Sequence, residues 1–293
     1  MNWRLCAVAT DAVSAKLISE LSVALKTAGL ARGATLAAVD PRLVEVEFSG
    51  APTIDVRLIL RALGVMYKTD LALIPQNFRP KLVAFDMDST LINGEVINEL
   101  ARLKGVVEHV QEITGRAMRG ELDFAQSLHE RVAFLAGLTK AQLLEVEKAL
   151  PLNAGVEHVA LTLNAAGIKT LILTGGFTFF AHKLCERLGF DEVHANELLF
   201  AADALSGVVS PTIIDAHAKA RLLQEKSAAA GIALSECVAV GDGANDLPML
   251  AAAGLGVAYF AKEKVRREAM TEISHTDMRT LLCYMGLGSK AFA

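Results

Sequence analysis

The hexapeptide Asp86-Met87-Asp88-Ser89-Thr90-Leu91 places two carboxylates one residue apart, directly after the apolar run 82–85. A continuous apolar run suits a strand buried on both faces. In an open α/β sheet the C-terminal strand ends are where ligands bind. The chain turns at such an end, so both acids can serve one site in different roles. A second run, GDGANDLPML from Gly241 to Leu250, follows another short apolar strand and adds Asp242, Asn245 and Asp246 beside two glycines. A third element, Thr174-Gly175-Gly176, follows the strand-like LIL and offers a hydroxyl and two backbone N–H groups at an expected helix start. That is a natural anion cradle. Lys219, in a helical segment ahead of the Cys237 strand, supplies a point positive charge.

These residue types fit together chemically. Several carboxylate oxygens suit Mg²⁺, a hard cation that keeps waters and touches phosphate. The hydroxyl, the amides and the lysine suit the remaining phosphoryl oxygens. One aspartate can then act as a nucleophile and a second as an acid and base.

The elements that must carry these residues show three patterns. Over the first 80 residues, strands are expected at 3–9, 34–39, 44–48 and 69–73, and helices at 11–28 and 53–63. Gly29 and Gly64 stand where helix C-termini favour a left-handed residue. The order βαββαβ predicts a ferredoxin-like α+β unit with helices on one face of the sheet. Pro75 to Pro80 reads as a linker. From about 93 to 150 the pattern is helical, with starts near Glu95, Val106, Asp123 and Thr139, and Thr139 with Gln142 forms a capping box. Phe124, Leu128, Val132 and Leu135 form a core stripe. From Gly155 onward helices alternate with apolar runs at 169–173, 237–240 and 255–258, which predicts a parallel sheet flanked by helices. The stretch 198–209 reads as a β-hairpin.

Composition excludes other classes. Twenty-nine basic and 33 acidic residues give a net charge of −4, and aromatic residues make up 5%. Neither a phosphate-backbone footprint nor a base-stacking platform is expected, hence no nucleic-acid partner. Mean hydropathy is +0.38. No uninterrupted apolar run reaches the roughly 18 residues a spanning helix needs, so no membrane role and a cytoplasmic location are expected. The four cysteines are far apart without a CxxC and read as free thiols. His182 reads as a packing or surface residue. Asn153 and Asp203 suggest no role.

The set DMDST, TGG, Lys219 and GDGAND, in this order, resembles the haloacid dehalogenase superfamily of aspartate-nucleophile phosphatases. Within it, the resemblance is to the enzymes that hydrolyse O-phospho-L-serine in serine biosynthesis, and it spans about 81–285. It implies a Rossmann-like parallel sheet with an inserted helical cap. The division is then 1–78 for an N-terminal ACT-like domain and 79–293 for the phosphatase, with core 79–92 and 152–293 and cap 93–151. By the same resemblance Asp86 is the nucleophile and Asp88 the general acid and base. Asp86, the Asp88 carbonyl and Asp242 ligate Mg²⁺. Thr174, Gly175, Gly176, Lys219 and Asn245 hold the phosphoryl group, and Asp246 supports the metal's waters or Lys219. Glu95 meets the substrate ammonium, Arg131 its carboxylate, and Met118 and Phe124 line the pocket. Thr174 departs from the more usual serine but keeps the hydroxyl. Other small phosphomonoesters, such as phosphohomoserine, and a vestigial amino-acid sensor are the competing readings. The N-terminal turn ATDAVSA lacks the glycine of ACT ligand sites, so a structural or homodimer-forming role is expected there.

Overall fold

The computed structural model describes residues 2–35, 40–53 and 55–292. The chain begins with β1 (Asn2–Ala9), α1 (Ala15–Thr27), β2 (Leu30–Thr35), β3 (Leu43–Gly50), α2 (Arg57–Tyr67) and β4 (Thr69–Pro75). These strands form one antiparallel sheet in the order β2-β3-β1-β4. The expected βαββαβ unit is therefore present. Strand β1 is buried on both faces because its side chains alternate. Leu5 and Ala7 pack with Leu17, Leu21 and Leu25 of α1. Cys6 and Val8 join the large core that also holds Leu281, Leu282 and Tyr284. The sheet thus carries its own helices on one face and rests on the rest of the molecule with the other.

Local details differ from expectation. The second strand runs over Leu30–Thr35, while 36–39 of the expected strand lie outside the described residues. Gly29 does take a left-handed conformation, with φ +87°. Gly64 does not: it lies inside α2, and the left-handed cap is Lys68, at φ +50°. A Cβ on Gly64 would stand 2.8 Å from the Thr69 carbonyl, so close approach of helix and strand explains that glycine. The segment between Pro75 and Pro80 is docked rather than free. Gln76 N–H donates to the Asn2 carbonyl at 2.9 Å, and Phe78 is buried in the main core.

The second part opens with β5 (Leu82–Phe85) and then four helices, α3 (Val96–Lys104), α4 (Val107–Met118), α5 (Phe124–Ala133) and α6 (Lys140–Ala149). Their starts match the expected ones within a residue or two. Asp123 with Gln126 forms a capping box at α5, as Thr139 with Gln142 does at α6. The chain continues through α7 (Val156–Ala165), β6 (Lys169–Phe177), α8 (Thr178–Leu188), β7 (Glu192–Asn196), the hairpin β8 (Leu198–Ala201) and β9 (Ala204–Val209), and α9 (Ala216–Ala229). It ends with β10 (Cys237–Gly241), α10 (Leu247–Ala252), β11 (Leu255–Tyr259), α11 (Glu263–Glu268), β12 (Thr271–Ile273), α12 (Thr280–Tyr284) and α13 (Gly288–Ala291). Six strands form a parallel sheet in the order β12-β11-β10-β5-β6-β7. Strands β7 and β12 escaped the sequence pattern because one is polar and the other only three residues long. The hairpin pairs Thr139 with Ala204 and leans on the cap. No helix among the described residues is long and apolar enough to cross a membrane. All four cysteines are free.

Candidate active site

Strands β10, β5 and β6 are neighbours in the sheet, so their C-terminal ends bring GDGAND, DMDST and TGG together. They form the floor of a cavity of about 640 Å³, roofed by α4 and α5 of the cap. Asp86, Asp88, Asp242 and Asn245 line it from the core. Thr174, Gly175 and Gly176 line it from β6. Glu95, Met118, Phe124 and Arg131 line it from the cap side. Lys219 and Asp246 stand behind this wall. Both are fully buried, and Lys219 Nζ pairs with Asp86 Oδ1 at 2.9 Å and Asp246 Oδ1 at 2.8 Å.

The loop after β5 is tightly determined. Met87 O accepts from the N–H groups of Thr90, Leu91 and Ile92. Ser89 sits at φ +56°, which costs a non-glycine residue on the order of 1 kcal/mol. The Asn153 amide offsets this by donating to the carbonyls of Thr90 at 2.8 Å, Ile92 at 3.2 Å and Ser89 at 3.3 Å. Asn153 is thus a positioning residue that sequence alone did not reveal. Its partners are backbone carbonyls more than 60 residues away, which leave no trace in the sequence pattern.

Asp86 Oδ1 accepts from Met87 N–H at 2.8 Å. Asp88 Oδ1 accepts from Val96 N–H at 2.7 Å, at the first residue of α3, so this acid joins core to cap. Glu95 Oε1 accepts from Ser89 Oγ at 3.3 Å. Gly175 and Gly176 lie at the end of β6, ahead of α8, rather than at a helix start. Gly176 N–H donates to Thr174 Oγ1 at 3.0 Å, so that amide is partly engaged within the turn. A Cβ on Gly176 would stand 2.7 Å from the Met87 methyl, and one on Gly175 3.0 Å from the Phe124 ring. Crowding therefore demands glycine at 176, where a Cβ would also stand 2.5 Å from Asp88 Oδ2, while a side chain at 175 would press on the Phe124 ring. Asn196, fully buried, holds this turn: its Nδ2 donates to the Gly175 carbonyl at 2.8 Å, and its Oδ1 accepts from Ile214 N–H at 2.7 Å. No sequence motif marks Asn196, nor Lys262 and Lys264, which line the cavity from the loop before α11 and its first turn.

Oxygens of Asp86, Asp242 and Asp246 lie within 4.8 Å of one another. The Asp88 side chain is turned toward Val96, outside this group. Burial, then the charges of Asp86 and Asp246, raises Asp242 to about 7. Burial and the Asp86 charge raise Asp246 to about 6. Burial and the Glu95 charge hold Asp88 well above the usual carboxylate range. Burial alone would lower Lys219, but the charges of Asp246 and Asp86 outweigh it and raise the ammonium. Three hard oxygen donors that repel one another fit a divalent cation such as Mg²⁺.

Removing the lysine charge tests this balance. In Lys219→Met, Asp86 and Asp246 lose a shared buried partner, which costs about 3–5 kcal/mol. Thermal unfolding should show that loss at pH 8 and a smaller one at pH 5, where protonation relieves the repulsion. An equal loss at both pH values would contradict the ion-pair account.

A family model for haloacid dehalogenase-like hydrolases matches residues 80–254. The chain belongs to that family. Over 286 residues it is 40% identical to a phosphoserine phosphatase of Streptomyces coelicolor, covering 97% of this chain and 68% of the relative. The crystal structure of a probable phosphoserine phosphatase from Vibrio cholerae superimposes with a TM-score of 0.79 at 31% identity, covering 99% of this chain and 88% of that one. A structure described as a phospho-aspartyl intermediate analogue of phosphoserine phosphatase gives 0.66 at 38% identity, over 71% of this chain and 99% of that chain.

Proposed function

We propose that this chain is a Mg²⁺-dependent phosphoserine phosphatase that acts through an aspartyl-phosphate and releases L-serine and phosphate. The carrying observation is the single cavity that holds Asp86 and Asp88 on its floor with Glu95 and Arg131 on its cap side. Asp86 attacks phosphorus, held in place by Lys219. Asp88, whose proton affinity burial and the Glu95 charge raise, gives a proton to the departing serine oxygen. Asp88 then takes a proton from water as that water attacks the Asp86 phosphoenzyme, which restores both acids. Mg²⁺ among Asp86, Asp242, Asp246 and the Asp88 carbonyl would neutralise phosphoryl charge. Thr174, Gly175, Gly176 and Asn245 hold the phosphoryl oxygens, and Met118 and Phe124 border the serine moiety. Glu95 receives the ammonium and Arg131 the carboxylate, a bidentate pairing suited to guanidinium. A phosphorylated amine without a carboxylate would leave Arg131 unpaired, which favours phosphoserine over phosphoethanolamine.

The same reading divides the chain into 1–78 and 79–293, with the cap at 93–151, and places the enzyme in the cytoplasm with no nucleic-acid or membrane partner. A panel of phosphoserine, phosphohomoserine, phosphoethanolamine and an aryl phosphate, with and without Mg²⁺, tests it. The expected result is strong, metal-dependent preference for phosphoserine. Equal rates on all four would reject the assignment.

Mg²⁺ affinity carries a pH signature. Raised proton affinities mean that the cation displaces protons from Asp242 and Asp246 below about pH 7. Calorimetric titration should show affinity falling as pH drops from 8 to 6, by up to about tenfold per pH unit for each displaced proton. A flat profile would mean these two acids do not bind the ion.

A further inference from the structure

The mechanism makes no use of the first 80 residues, yet they grip one segment of the catalytic part. Asp70, buried on β4, accepts from Ser274 N–H at 2.7 Å, His275 N–H at 3.1 Å and Thr276 N–H at 2.9 Å. Leu71 O accepts from Thr271 Oγ1 at 3.2 Å. On α2, Arg61 pairs with Glu263 and approaches Glu272 at 4.0 Å. All these partners belong to 263–276, the stretch that forms α11 and β12. Its beginning and the preceding Lys262 enter the catalytic cavity, where Lys262, Lys264 and Val265 form part of the lining.

Charge gives that entry a purpose. The cavity presents Asp86, Asp88, Glu95 and Asp242 to a substrate that is itself anionic. The ion pairs of the segment run Arg61–Glu263, Arg267–Glu263 and Arg266–Glu272 and leave Lys262 out. Burial and the Asp86 charge raise the proton affinity of Glu95, and Lys262 is near enough to oppose them, as Arg131 does. With Arg131 and Lys264, Lys262 is one of three cations that face the acidic groups of this cavity, and it is carried on a segment fastened from outside the catalytic part.

We propose that the N-terminal domain is a positioning element of the active site: through Arg61 and Asp70 it fixes segment 262–276 and so places Lys262 in the catalytic cavity to bind the anionic substrate. This rests on the phosphatase reading above. Lys262 contributes to substrate binding, and Arg61 acts through Lys262.

The test is a cycle in the full chain with O-phospho-L-serine and Mg²⁺, at temperatures where each variant is fully folded. Lys262→Met should raise KM about tenfold with kcat changed by less than about twofold. Arg61→Met should raise KM about threefold, and Arg61→Lys should restore it. The double variant should equal Lys262→Met, because the two residues act in series. Multiplying effects of about thirtyfold, or a fall in kcat at constant KM, would overturn the proposal. Hydrogen exchange reads the grip without any substrate: amides of 262–268 should exchange at least about tenfold faster in Arg61→Met. Unchanged exchange overturns the inference whatever the enzyme hydrolyses. Absence of wild-type turnover of phosphoserine would instead sink the underlying functional reading.

Discussion

Asp86→Asn is expected to lower Mg²⁺-dependent phosphate release from O-phospho-L-serine by at least about 10⁴-fold. An amide oxygen is too weak a nucleophile to form the acyl phosphate, and no neighbouring group can replace it at the end of β5. The fold should survive. Asn can keep the acceptor that Lys219 Nζ meets at 2.9 Å and that Met87 N–H meets at 2.8 Å. One electrostatic side effect should accompany the loss. The Asp86 charge helps to raise both Asp242 and Asp246, so removing it should lower the proton affinity of both. Phosphate release at the wild-type rate by a folded variant would reject Asp86 as nucleophile.

Arg131→Ala is expected to raise KM for phosphoserine by about 100-fold, the scale of truncating one member of a buried charge pair. Arg131 is half-buried, and burial lowers its proton affinity while Glu95 and Asp88 oppose that shift. Its Nε donates to the Ser127 carbonyl at 3.1 Å, one turn back on α5, which fixes the plane of the guanidinium. The ends of the fork then face the cavity that Glu95 also lines. A small aryl phosphate has no carboxylate to lose, so its hydrolysis should fall far less. Equal losses on both substrates would show that Arg131 shapes the site generally instead of clamping a carboxylate.

Much of this site is legible in the sequence because its chemistry is local. DMDST, TGG and GDGAND each join a short buried strand to the turn that follows, and each strand end delivers its own reactive groups. The cap helices are equally legible, since capping residues such as Thr139 and Gln142 act within one turn. What failed were features whose cause lies elsewhere in the chain. Gly64 looked like a helix stop, but its reason is the Thr69 carbonyl packed against it. Asn153 suggests no role in the sequence and Asn196 carries no motif, because their work is to hold backbone carbonyls of distant turns. The expected linker after β4 is docked, because Phe78 finds a place in a core assembled from later residues.

The sequence by itself determined the reactive groups, their order and the alternation of strand and helix that puts them at one sheet edge. Tertiary structure decided three further matters. Lys219 stands behind Asp86 instead of in the cavity wall, because it pairs with Asp246 as well. The antiparallel sheet is covered on its second face by the catalytic part, because β1 alternates apolar side chains on both sides. And Lys262 reaches the site on a segment held by Asp70 and Arg61. Such outcomes depend on burial and on contacts across some 200 residues, and no local pattern records them.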